Sequence, residues 1–187
     1  LEPGIAGRGM MTPRVIKPRV LPADVSALPD DMHPVIRRVL LARGVTDPGE
    51  MSLQLSDMLH PGGLGSIDAA AAILADAVTG EQRILIVGDF DADGATGTAL
   101  AVLSLCAMGC RKVDFRVPNR FEFGYGLTVP LVETLAAAPP DLLVTVDSGI
   151  SCIAGVERAR QLGCRVIVTD HHLPGEVVPM ADAIVNP

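Results

Sequence analysis

From Arg83 onward the chain alternates short, continuous apolar runs with stretches whose apolar residues recur every three to four positions. Ile84-Leu85-Ile86-Val87, Leu142-Leu143-Val144-Thr145-Val146 and Val166-Ile167-Val168-Thr169 are rich in β-branched residues and carry no charge. Such runs predict buried strands. Strands are expected near 84–88, 113–117, 142–146, 165–169 and 181–185, with helices near 94–108, 128–137 and 151–162. This alternation predicts an α/β fold, a parallel β-sheet of about five strands with helices on both faces. The last connection, 170–180, is too short for a helical crossover and contains two prolines.

The first eighty residues have a different texture. Residues 1–30 are rich in Pro and Gly, with Arg14, Lys17 and Arg19 among them, and read as an extended arm. A short helix is expected from Pro34 to Arg43, with Pro at its start and Gly44 after its end. Asp47 to Met58 reads as a second helical piece, and Pro61-Gly62-Gly63-Leu64-Gly65 as a loop. Ser66 is the expected N-cap of a helix reaching Thr79 and closed by Gly80, with Ile67, Ala70, Ile73, Leu74, Ala77 and Val78 at helical spacing. The expected division is an arm over 1–30, a helical segment over 31–80 and an α/β domain over 81–187.

Composition narrows the class. Of 187 residues, 49% are hydrophobic, enough for a sizeable core, but only 3% are aromatic, so packing falls to Ala, Val, Leu and Ile. A net charge of −7 would repel nucleic acid if spread evenly. Here Asp89, Asp91, Asp93, Asp147 and Asp170 cluster at strand ends, where divalent cations would offset them, so a nucleic-acid substrate is not excluded. Cys106, Cys110, Cys152 and Cys164 form no Cys-x-x-Cys pair and read as reduced core or near-core thiols. No run of 18 apolar residues signals a membrane span, and no Gly-x-Ser-x-Gly elbow signals a serine nucleophile.

The strand ends carry the chemistry. In open parallel sheets the carboxyl edge borders the ligand crevice. Asp89, Asp91 and Asp93 alternate, so in extended backbone they would share a face, and Gly88 and Gly94 would permit tight bends beside them. A calcium loop is excluded because Leu100 stands where its twelfth-position Glu belongs. Asp147 ends another strand on the same edge and is a candidate bridging ligand. Asp170-His171-His172 adds imidazole, which suits Mn²⁺, Fe²⁺, Zn²⁺ or Co²⁺ better than Ca²⁺. His33 and His60, each beside a proline, read as surface or capping residues. In the loop from Pro118 to Leu127, Arg120 offers a fork for phosphate, with a local pairing to Glu122 as the alternative. Phe121, Phe123 and Tyr125 either stack bases or anchor the loop to the core.

The run Gly88-Asp89-Phe90-Asp91-Ala92-Asp93-Gly94-Ala95-Thr96-Gly97-Thr98-Ala99, with Val146-Asp147-Ser148-Gly149-Ile150 and Asp170-His171-His172, resembles the DHH phosphoesterase superfamily. The loop Val117-Pro118-Asn119-Arg120-Phe121-Glu122-Phe123-Gly124-Tyr125-Gly126-Leu127 is similar to that of its single-strand-specific DNA exonucleases. The resemblance covers about residues 30–187. It implies a two-metal hydrolase using Mn²⁺ or Mg²⁺ that degrades single-stranded DNA from the 5′ end in recombination and repair. By the same resemblance the setting is cytoplasmic, with a single-strand-binding protein and a helicase as partners and no membrane. Position by position, the resemblance implies Asp91, Asp93, Asp147 and His171 as metal ligands, and Asp89 and Asp170 as residues that hold or tune them. It puts His172 on a substrate phosphate, and Asn119, Arg120, Tyr125 and Gly149 in substrate binding. Other phosphoesterases of the superfamily, acting on short oligonucleotides or cyclic dinucleotides, and a non-catalytic scaffold of the same fold are the alternatives. The superfamily's fourth metal-binding Asp lies beyond Asp-His-His. The chain is therefore expected to be an N-terminal fragment with an incomplete site and little or no activity alone.

Overall fold

The structure is a computed structural model that describes residues 17, 20–21 and 28–187. Most of the expected arm over 1–30 lies outside the described residues. Two compact units divide the chain, Leu1–Met58 and Leu59–Pro187.

In the first unit, α1 (Pro34–Ala42) begins with proline, and the His33 Nδ1 accepts a hydrogen bond from the Val35 amide at 3.2 Å, the capping role expected of that histidine. The single helical piece expected over 47–58 is instead two short 3₁₀ turns, Pro48–Met51 and Leu55–Asp57. Asp47 and Glu50 form a capping box around the first turn. Leu53, Leu55 and Met58 remain exposed, so no apolar stripe is buried to extend so short a helix.

The second unit holds a five-stranded sheet in the order β2-β1-β3-β4-β5, all pairs parallel. Its strands are β1 (Ile84–Gly88), β2 (Val113–Arg116), β3 (Leu142–Val146), β4 (Arg165–Thr169) and β5 (Ala183–Val185). Its helices are α2 (Ile67–Thr79), α3 (Ala92–Ala107), α4 (Arg120–Phe123), α5 (Val129–Glu133) and α6 (Ile153–Gln161). Strand residues alternate between two cores. Leu85, Val87, Leu143, Val166 and Val168 pack with Leu131, Val132, Val156 and Ala159 of α5 and α6. Ile84, Ile86, Leu142, Val144 and Ile167 pack with Ala70, Ala77 and Leu105 of α2 and α3. Helices thus cover both faces, as the apolar runs predicted.

Three local expectations change. The helix over 67–79 buries its stripe on the sheet, so the second unit begins at Leu59 rather than at residue 81. Ser66 enters that helix in the left-handed region (φ 59°) and caps nothing with its side chain, since an N-cap bond needs extended backbone. The helix expected over 128–137 is α-helical only to Glu133. Beyond it, Leu135 and Ala136 donate to carbonyls three residues back, the tighter 3₁₀ pattern, before Pro139 and Pro140. All four cysteines are free; Cys110 and Cys164 are buried and Cys152 is half-buried, while Cys106 is exposed rather than near the core. Among the described residues no helix is long and apolar enough to cross a membrane.

The pairing register positions the site. Gly88 lies opposite Val146, and Val146 opposite Thr169. The next residue after each is an aspartate: Asp89, Asp147 and Asp170. Strand order also reverses at β1, since β2 lies on one side of it and β3 on the other, and the crevice opens between strands at that point.

Close packing under this edge is testable at Gly155 in α6, where an added Cβ would strike the Leu127 carbonyl oxygen. Alanine normally gains helix stability over glycine, but a backbone atom cannot yield to it. Gly155→Ala is expected to destabilise the chain by about 1–3 kcal/mol in a urea melt; a raised midpoint would show that α6 does not press on Leu127.

Candidate metal centre

Each acidic side chain reaches the edge by its own route. Asp89, directly past β1, is buried. Asp91 is the N-cap of α3, its Oδ1 accepting the Gly94 amide at 3.1 Å. Asp93 lies in the first turn of that helix. The triplet therefore does not share the face of an extended strand; a strand end, a cap and a helical turn bring it together. Gly88 and Gly94 serve close approach rather than bending, since neither has a positive φ. A Cβ on Gly94 would sit 2.6 Å from the Asp89 carbonyl oxygen, and one on Gly88 would strike the Thr98 hydroxyl.

Asp147 occupies the left-handed region at φ 58°, unusual for a residue other than glycine. Its amide donates to the Thr169 carbonyl at 3.0 Å, carrying the ladder one step past β3. That step turns its carboxylate into the centre of the site. Ligand-capable atoms of Asp89, Asp91 and Asp147 lie within 4.8 Å of one another, as do those of Asp147, His171 and His172. Asp147 belongs to both groups. His171 Nε2 is 2.8 Å from Asp147 Oδ1 and 3.6 Å from Asp93 Oδ2, which ties Asp93 to the same cluster. The other oxygen, Asp147 Oδ2, is buried with no hydrogen-bond partner among the described residues.

Asp170 stands apart from the two groups and organises the loop. Its Oδ2 accepts the Ile150 amide at 2.9 Å; its Oδ1 accepts the His171 and His172 amides at 2.7 and 3.1 Å and pairs with His172 Nδ1 at 2.7 Å. Both histidines are thereby fixed relative to the turn after β3.

The electrostatics follow from this crowding. The Gly94 amide holds Asp91 below the usual carboxylate range. Burial raises Asp147, with Asp91 and Asp93 adding to the rise and the His171 bond opposing it. Burial would also raise Asp170, but the Ile150 amide, His172 and the loop amides bring it below its ordinary value. The Asp170 bond lifts His172. Tyr125 is pushed up to about 12 by burial and then by Asp89, Asp170 and Asp147. A divalent cation removes such a penalty. The orphaned Asp147 oxygen and a donor set of carboxylates with imidazole fit Mn²⁺ or a similar ion.

The loop after β2 sorts itself by side chain. The Asn119 side-chain oxygen caps α4 through the Phe121 amide at 3.1 Å, which leaves its amide NH₂ for other contacts. Arg120 lies over the ring of Phe90, its Cζ 4.0 Å from the centroid, rather than on Glu122. Phe123 packs against the core, Phe121 is open to solvent, and the Tyr125 hydroxyl donates to the Asp147 carbonyl at 3.2 Å. Gly149 is buried at φ 118°, and a Cβ there would strike Thr145, so close packing requires glycine at this position. Two contributors went unread in the sequence, Phe90 beneath Arg120 and the Ile150 amide on Asp170. No local signal marks either, because each acts on a residue at least 20 positions away.

An α/β domain with a carboxylate–histidine cluster at the carboxyl edge of its sheet defines the class. Residues 83–187 match the family described as the DHH family, N-terminal domain, and the chain belongs to that family. It is 49% identical over 164 residues to the single-stranded-DNA-specific exonuclease RecJ of Escherichia coli (strain K12), and 33% identical over 169 residues to that of Bacillus subtilis (strain 168). These alignments take in 88% and 87% of this chain but only 28% and 21% of the relatives. The fold is similar to a crystal structure of exonuclease RecJ bound to manganese, with TM-score 0.63, 41% identity and coverage of 70% of this chain and 33% of that one. It is also similar to RecJ from Thermus thermophilus in complex with Mn²⁺, with TM-score 0.58, 35% identity and coverage of 79% and 20%.

Asp170 provides a pH test. Because its folded pKa is depressed, its stabilisation is present above the ordinary carboxylate pKa of 3.8 and is lost as pH falls through the folded value. Asp170→Asn is expected to cost about 1–3 kcal/mol at neutral pH, since the charge that strengthens the bonds from the Ile150, His171 and His172 amides is lost. The difference from wild type should shrink below pH 4 in urea melts; a gap independent of pH would show that charge plays no part.

Proposed function

We propose that this chain carries the metal-binding part of a RecJ-type exonuclease that hydrolyses single-stranded DNA from its 5′ end. The observation that carries the reading is Asp147, shared by two ligand groups and holding one buried, unpartnered oxygen. In this proposal Asp91, Asp93, Asp147 and His171 would hold two Mn²⁺ or Mg²⁺ ions. The pair would supply a lowered pKa for bound water and a clamp on the phosphoryl oxygens. Asp89, buried just past β1, braces the cluster. Asp170 holds His172 so that its imidazole edge meets a substrate phosphate. Arg120 takes a neighbouring phosphate as a fork, and Asn119 and Tyr125 line the same approach.

The relatives support this reading through the names they carry: those aligned with this chain are single-stranded-DNA-specific exonucleases, and two similar structures hold manganese. A role in recombination and repair beside a single-strand-binding protein and a helicase goes with it. So does a cytoplasmic setting, with which four free cysteines accord.

Two measurements test the proposal. Calorimetric titration should show Mn²⁺ binding, and Asp147→Asn should weaken it by about a hundredfold or more, as befits a shared ligand. A variant with unchanged affinity would remove Asp147 from the centre. A polypeptide of the relatives' length that bears this site should shorten 5′-labelled single strands in Mn²⁺, spare the matching duplex and stop in EDTA, whereas this chain alone should show little or no activity. Equal attack on duplex would overturn the assigned substrate.

A further inference from the structure

Phe90 sits between Asp89 and Asp91, two residues past a fully buried strand, yet the residue is 45% exposed. Above that ring lies the Arg120 guanidinium, at 4.0 Å from the centroid, well inside cation–π range. Among the described residues Arg120 makes no ion pair, although the carboxylates of the metal centre flank the ring in sequence. Both partners rise from fixed backbone. Phe90 follows β1, and Arg120 opens α4, which is capped by Asn119 and closed by the bond from the Gly124 amide to the Arg120 carbonyl at 3.0 Å.

We propose that Phe90 is a positioning residue whose ring holds the Arg120 guanidinium face-on beside the metal centre, with its N–H edge free for a substrate phosphate. A carboxylate partner would occupy the same donors that a phosphate needs. Stacked face-on, the guanidinium gives the ring only its face and keeps all five N–H groups in their plane. Phe90 therefore orients the arginine without consuming its hydrogen bonds, and keeps it off the ligands that the metals require. The inference rests on the reading of Arg120 as a phosphate contact.

The test uses the 187-residue chain, with Mn²⁺ and a 5′-phosphorylated oligothymidylate as probes, in wild type, Phe90→Leu, Phe90→Tyr, Arg120→Ala and the Phe90→Leu/Arg120→Ala double variant. Phe90→Leu should weaken oligonucleotide binding by about threefold to tenfold and flatten its salt dependence, as loss of one phosphate contact does. Phe90→Tyr, which keeps the ring face, should stay within about twofold of wild type. The double variant should bind no more weakly than Arg120→Ala, because the ring acts through the arginine. Mn²⁺ affinity should not fall in Phe90→Leu. In NMR spectra the Arg120 Hε should show an upfield ring-current shift that Phe90→Leu removes. Additive losses in the double variant would overturn the positioning role, since they mean that Phe90 acts on its own. An Hε resonance indifferent to Phe90→Leu would overturn the contact itself. A chain that binds Mn²⁺ but no oligonucleotide, with the Hε shift intact, would locate the failure in the functional reading and overturn the proposal with it.

Discussion

The site depends on the register of three parallel strands. Backbone pairing sets Gly88, Val146 and Thr169 level, and the residue after each is an aspartate. The ladder permits more than one alignment, and the apolar side chains packed into the cores on both faces select this one. Once it is set, carboxylates from separate parts of the chain must share one edge of the sheet. A one-residue slip of β3 would carry Asp147 out of step with Asp89 and Asp170 and turn its neighbours toward the wrong core.

That crowding is unfavourable by itself. Asp147 is raised by burial and by Asp91 and Asp93, and it adopts a left-handed backbone that non-glycine residues avoid. Strain of this kind persists where the surroundings over-determine it. Here the Asp147 amide is held by Thr169, and its carboxylate by His171. Asp170 takes the opposite course, with four bonds that satisfy its charge and hold the loop bearing both histidines. One aspartate is left wanting a cation while its neighbour is made rigid, and that division suits a centre built ahead of its ions.

The loop bearing Arg120 divides its labour in the same way. Phe123 goes to the core, Asn119 caps the short helix, and Tyr125 leans on the Asp147 carbonyl. Toward solvent the loop presents a guanidinium on an aromatic ring and the open face of Phe121, with Glu122 also exposed. A loop that reads as a mixture of polar and aromatic residues thus separates into anchors and a presenting surface.

Much of this was legible in the sequence. Continuous β-branched runs announced the strands, and their alternation with helical spacing announced a parallel sheet covered on both faces. The placement of Asp89, Asp147 and Asp170 just after those runs marked the edge, because strand ends and sheet direction are local properties of a parallel fold. Tertiary structure decided the rest. The alternation of Asp89, Asp91 and Asp93 suggested one extended face, but the helix starts at Ala92, so a cap and a first turn do that work. Gly149 is held to glycine by its neighbours Thr145 in β3 and Val168 in β4, a constraint no local pattern announced. The helix over 67–79 read as part of a separate segment until its stripe met the sheet. Phe90 and Arg120, thirty residues apart, met only through the fold. Periodicity encodes which face of an element is buried; it does not encode what lies across from that face, and contacts between distant residues are settled by packing alone.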